Sequence, residues 1–124
     1  MNQRQGFRPL ASKEIAILKK LLQQPFRGRD ELSQQLIGAQ VRQIDDSGSL
    51  RFLLRGGTPA PLPRGIAVEA TYFDDGNGNE AHVNILLHVV DGKLSMLEIY
   101  KDDGSKIARD PDPAELQVFS QYAF

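Results

Sequence analysis

Cysteine is absent from all 124 residues. That excludes disulfides, cysteine-ligated zinc, thiol catalysis and iron–sulfur chemistry, and it is the usage expected in a reducing cytosol. Neither sign of charge is in excess: 15 Lys and Arg stand against 16 Asp and Glu, a formal net charge of −1. A protein that grips a phosphate backbone needs a basic surplus, so nucleic acid is not an expected partner. No apolar run approaches the ~20 residues that span a bilayer, and the opening MNQRQGFRPLASKE lacks the apolar stretch of a signal peptide. There is no Gly-rich phosphate loop, nucleophile elbow or H-E-x-x-H. Histidine is limited to His82 and His88. On one strand those two lie about 20 Å apart, too far to share a metal ion. The expectation is a cytoplasmic chain without membrane, metal or cofactor, long enough to bury its own core as one domain over residues 1–124.

The chain opens with helices. Residues 1–6 are polar and expected to fray. Ser12 is a natural N-cap, and Glu14 sits in the first turn, where the helix dipole favours a carboxylate. Ile15, Leu18, Leu21 and Leu22 recur at spacings of three and four and form an apolar stripe. Pro25 ends that helix. A shorter one starts near Gly28 or Asp30, buries Leu32 and Leu36 at i, i+4, and stops at Gly38.

The rest reads as strands. Ala39 to Ile44 is followed by Asp45-Asp46-Ser47-Gly48, which is turn chemistry, and then by Leu50 to Leu54. Gly56 to Gly65 (GGTPAPLPRG) excludes helix and central strand and reads as a rigid surface loop crossing an edge of the sheet. Ile66, Val68, Ala70 and Tyr72 alternate with Ala67, Glu69, Thr71 and Phe73 in period two. After the loop Asp74 to Asn79, a long hairpin runs from Glu80 to Gly104, and Glu115 to Phe119 is a candidate edge strand. The expected class is α+β: N-terminal helices packed on one face of an antiparallel meander of about five strands.

Register decides which hairpin residues meet. A two-residue type I′ turn at Asp91-Gly92 pairs Val90 with Lys93 and puts Glu98 on the aliphatic face with Val83, Ile85, Leu87 and Val89, a costly placement. A three-residue loop with a bulge at Gly92 pairs Val89 with Lys93 instead. It gathers His82, Asn84, Leu86, His88, Leu94, Met96, Glu98 and Tyr100 on the opposite face. The second register is favoured, because a one-residue slip flips every side chain. Pairing Phe73 with Glu80 then sets Glu69 opposite Asn84 and Thr71 opposite His82. One sheet face collects Glu69, Thr71, His82, Asn84, Glu98 and Tyr100 as a candidate binding face.

That face admits several readings. Glu69 and Glu98 could form a carboxylate pair for acid–base work, or His82 or His88 could act as a base beside Glu98 or Tyr100. A hydrated strand face is the ordinary alternative. Asp75, Asn77 and Asn79 have the spacing of a calcium loop, but Glu80 and Leu86 replace its required Gly and Glu, which favours a plain hairpin loop. Arg27, Arg29, Arg51, Arg55 and Arg64 could hold a phosphate or an acidic partner, although scattered solvated arginines are ordinary.

The segments FRPLASKEIAILKKLL, GRDELSQQL, LLHVVDGKLSMLEIYKDDGS and DPDPAELQV, spread from Phe7 to Val118, resemble a family of small bacterial proteins with no assigned activity, a domain of unknown function. HVVDGKLSMLEIYKDDG is the best marker. The resemblance carries over no catalytic residue. By analogy with small bacterial α+β proteins it implies a non-enzymatic interaction module, such as an immunity protein that neutralises a toxin. The partner would be that toxin or a second copy of the chain. The contrasting expectation is a small-molecule-binding protein or acid/base enzyme using the polar sheet face.

Overall fold

The computed structural model describes residues 6–76, 78 and 80–124. In chain order the elements are β1 (Arg8–Pro9), α1 (Ser12–Gln23), α2 (Arg29–Gln35), β2 (Gln40–Gln43), β3 (Leu50–Leu53), β4 (Gly65–Asp74), β5 (Ala81–Val90), β6 (Lys93–Lys101), a 3₁₀ turn at Pro113–Glu115 and β7 (Gln117–Phe119). The strands form one seven-stranded antiparallel sheet in the order β1-β2-β3-β6-β5-β4-β7. The α+β class holds, but the strand number is seven rather than about five. The additional edge strand β1 is two residues long, too short for a period to show, while β7, three residues long, lies within the candidate edge strand Glu115 to Phe119. Nor is the sheet a plain meander: β3 pairs with β6, so the Gly/Pro loop crosses the end of the β5–β6 hairpin instead of a sheet edge. There Ala60 donates its N–H to the Gly92 carbonyl at 2.8 Å. The fraying expected of residues 1–6 falls, except for Gly6, outside the described residues.

Both helices lie on one face. Ile17, Leu18, Leu21 and Leu22 of α1 and Leu32 of α2 join Val41, Leu50, Val68, Val83, Ile85, Leu87, Leu97 and Ile99 of the strands in one buried cluster. Each fully buried Leu, Ile or Val contributes about 1.5–3 kcal/mol relative to leaving it in water. Ala11 rather than Ser12 is the N-cap of α1, and Glu14 accepts the Ala11 N–H at 2.8 Å while pairing with Arg8. In α2 the buried partner of Leu32 is Gln35, with no accessible surface, and Leu36 is only half-buried. The Gln35 amide donates to the Thr58 and Gly92 carbonyls and accepts the Leu94 N–H, each at 2.9 Å. One side chain thereby joins α2, the Gly/Pro loop and the hairpin tip.

The hairpin reconciles two opposed demands. Asp91 (φ 54°) and Gly92 (φ 75°) form the two-residue turn, and Val90 pairs with Lys93. This corrects the expected three-residue loop. The register then shifts: Val89 pairs with Leu94, His88 with Met96, and Ser95 is the extra residue. The bulge flips the parity of β6 after Ser95. Leu97 and Ile99 turn inward, Glu98 and Tyr100 outward, and Leu94, before the bulge, stays in the core. Leu94 was expected on the polar face; the bulge lies after it, which is why it is not. Deleting Ser95 should therefore leave a bulge-free hairpin in which Leu94 still pairs with Val89 and Met96 with His88, with Glu98 and Tyr100 outward, and the melting temperature followed by circular dichroism should stay within a few degrees of the wild type. Loss of the cooperative thermal transition in that variant would show that Ser95 is not simply the extra residue of the register shift.

Candidate functional site: the outer face of the sheet

Among the described residues no helix packs on the face away from α1 and α2, and cross-strand rows organise it. Phe119, Glu69, Leu86 and Glu98 form one row, and Gln117, Thr71, Asn84 and Tyr100 the next. Phe73 and His82 pair beyond them, and Ile66, His88, Met96 and Arg51 run on the other side. All six candidate residues, Glu69, Thr71, His82, Asn84, Glu98 and Tyr100, lie on this face. Their neighbours differ from those expected. Beyond the irregularities at Ile66/Val68 and Ser95 both interstrand registers are displaced by two residues, which preserves the face of each of the six but changes its partner. Asn84 sits between Thr71 and Tyr100, not between Glu69 and Glu98. Thr71 faces Asn84 instead of His82, and His82 stands beside Phe73, with ring centroids 5.2 Å apart and edge-on.

This displacement removes the carboxylate pair. Glu69 and Glu98 flank Leu86, two strand spacings or about 10 Å apart, too far to share a proton. Glu98 instead lies 2.9 Å from His88 Nε2, and the Asn84 side-chain amide donates to Asp102 at 2.6 Å. The row neighbours of His88 are Ile66 and Met96. No nucleophilic hydroxyl stands in its row for it to activate. Glu69, Thr71, His82, Asn84, Asp102 and Phe119 line a shallow depression of about 360 Å³, within the size range of ligand sites. Asn77 and Asn79, and with them the calcium-loop spacing, lie outside the described residues. Among the described residues no three carboxylates or histidines gather where a cation could bind, and no helix is long and apolar enough to cross a membrane.

Beside the face lies a constellation that was not singled out from the sequence. The Asp74 carboxylate and Lys101 ammonium, both side chains fully buried, meet at 3.0 Å on the inner side of β4 and β6. Asp74 also accepts the backbone N–H groups of Ala108 at 2.7 Å and Arg109 at 3.2 Å. Burial alone would raise its pKa. The Ala108 N–H, the Lys101 ammonium and the Gly76 N–H outweigh burial and bring it down to about 2. Tyr72 donates its hydroxyl to the Arg109 carbonyl at 2.7 Å, and its pKa is pushed up to about 12 by burial first and then by the charge of Asp74. The Arg109 guanidinium donates to the Phe73 carbonyl at 2.5 Å and to Glu115 at 3.1 Å, with Nε 3.2 Å from Asp75 but out of hydrogen-bond alignment. The segment after β6 is thus tied to the end of β4. A sequence signal did exist: strand alternation puts Asp74 in phase with Ala70 and Tyr72, and Lys101 with Leu97 and Ile99. Two opposite charges at inward positions of different strands are a reason to pair them.

These observations define the class, a small α+β protein whose seven-stranded antiparallel sheet carries both described helices on one face. The chain belongs to the family described as a domain of unknown function, DUF6984, whose model matches residues 7–111. The matched region includes Asp74, Lys101 and Arg109 and ends before Glu115 and β7. No curated protein and no solved structure matches the chain.

The buried ion pair yields a mutational cycle. Asp74→Asn leaves the Lys101 ammonium without its carboxylate and should cost about 3–5 kcal/mol in urea unfolding, whereas Asp74→Asn combined with Lys101→Met should recover most of that loss; equal losses in both would show that no charge is stranded. A pH effect follows as well. The folded pKa of Asp74 is about 2, below the ordinary carboxylate value of 3.8. A depressed carboxylate contributes stability that is present above the unfolded value and is lost as pH falls through the folded one. The melting temperature should fall between about pH 4 and pH 2 more steeply for the wild type than for the double variant.

Proposed function

We propose that this is a cytoplasmic protein-interaction module, of the kind a toxin-neutralising immunity protein exemplifies, and that its partner docks on the outer face of the sheet. One observation carries the reading. The uncovered face and its border expose Phe73, Tyr100 and Phe119, at 43%, 42% and 60% of their surface, around Glu69, Glu98 and Asp102. Aromatic side chains supply large, rigid contact area at low entropic cost, and they are enriched where protein interfaces concentrate their binding energy. The carboxylates between them suit a partner with a basic surface and would steer its approach. Acid–base chemistry has weaker support, since the two glutamates are too far apart to share a proton and the His88–Glu98 pair has no nucleophile in its row.

The depression bordered by Glu69, Thr71, His82 and Asn84 favours a second reading, a small polar ligand held on the same face. Tyr100→Asp combined with Phe119→Asp separates the two. Both positions are exposed, so stability should stay within about 1 kcal/mol of the wild type, while capture of a partner from the native host should be lost. Retained capture by that variant would rule out the aromatic face as the docking site. If the wild type captures no protein and its gene has no toxin among its neighbours, the immunity reading fails.

A further inference from the structure

On the opposite side of the molecule, α1 and α2 leave a cleft of about 540 Å³ between them. The apolar stripe of α1 is wider than the core requires. Leu18 has no exposed surface, but Ile15, one turn before Lys19, is 38% exposed. Ile15 and Leu22, with Leu10 before the helix and Leu36 just past α2, give the cleft an apolar lining. Its charged lining residues are cationic. Lys19 has no anionic partner among the described residues, and Arg29 is the other cation. Arg29 is held in place: Nη1 donates to the Leu22 carbonyl at 3.0 Å, and Nε to Asp30 at 2.8 Å. Asp30 is 85% exposed, so its pull on the guanidinium is screened by water. No carboxylate lines the cleft.

We propose that this cleft binds a linear acyl chain ending in a carboxylate, a fatty acid, with the chain over Leu10, Ile15, Leu22 and Leu36 and the head group at Lys19 and Arg29. A cleft of this size accommodates a small ligand. Apolar walls with cations of one sign at the margin match a molecule with an apolar body and one anionic end. Each methylene removed from water tightens binding about fourfold, so affinity rises with chain length until the chain outgrows the cleft. The margin supplies the sign selection, because a neutral head group leaves Lys19 and Arg29 without a counter-charge.

The test is a titration of the full chain with octanoate, decanoate, decanol and decyltrimethylammonium below their micelle concentrations, followed by calorimetry and backbone amide shifts. Expected are saturable binding of decanoate more tightly than octanoate, weaker binding of decanol, none of the cationic analogue, and shifts confined to α1 and α2. Lys19→Glu should weaken decanoate about tenfold, with a smaller loss in high salt. Ile15→Trp should fill the cleft and abolish binding while the circular dichroism spectrum is unchanged. Equal affinity for decanol and decanoate, or no effect of Lys19→Glu, overturns the anionic specificity. Absence of saturable binding, or shifts on the sheet's outer face instead of the helices, overturns the site.

Discussion

Packing of two short helices against one side of a twisted sheet is the interaction on which the rest of this structure depends. It requires one aliphatic face, and in a strand the face of each residue is set by parity alone. Type I′ chemistry at Asp91-Gly92 by itself would turn Glu98 into the helices. The extra residue Ser95 resolves the conflict by letting β6 change parity three residues after the turn. A second irregularity, between Ile66 and Val68, adjusts β4 in the same way. The polar outer face is the complement of the dry one, and its residues are gathered there because the inner positions are taken.

The inner layer ends in charge. Asp74 and Lys101 occupy inward positions at the ends of β4 and β6, where no helix continues the apolar cover. Their attraction survives burial because the carboxylate is also saturated with backbone donors from the segment after β6. Ala108 and Arg109 are therefore held against the end of β4, and Arg109 joins that strand to the 3₁₀ turn through the Phe73 carbonyl and Glu115. From there the chain continues into β7, which covers part of the β4 edge and brings Phe119 alongside Glu69. Phe119 thus reaches the outer face through the segment that the buried pair anchors. The two candidate surfaces, the sheet face and the helix cleft, lie on opposite sides of one core and can be altered independently.

Much of this was readable in the residues themselves. Period two along Val68, Ala70 and Tyr72 and along Val83, Ile85 and Leu87 identified strands and their faces, and the Ile15–Leu22 stripe identified α1. The six candidate residues share a face because parity survives a displacement of two. Their neighbours could not be read, because a shift of two costs nothing in hydrophobic pattern and is decided by how the loop after Asp74 closes and by the Ser95 bulge. Gln35 escaped notice for a different reason. A glutamine on a short helix reads as surface until its carbonyl and amino partners, from segments more than twenty residues away, are in place.

The sequence by itself determined the α+β class, one-sided layering, the two helices and the shared face of the six candidate residues, since these follow from local conformational preference and from periodicity. Only the tertiary structure decided that β3 joins β6, that Glu69 and Glu98 are kept apart by Leu86, that Asp74 and Lys101 meet, and that the helices leave a cleft. Each of those is a distance between residues remote in the chain, set by loop closure and by the fit of whole elements, and no local pattern encodes it.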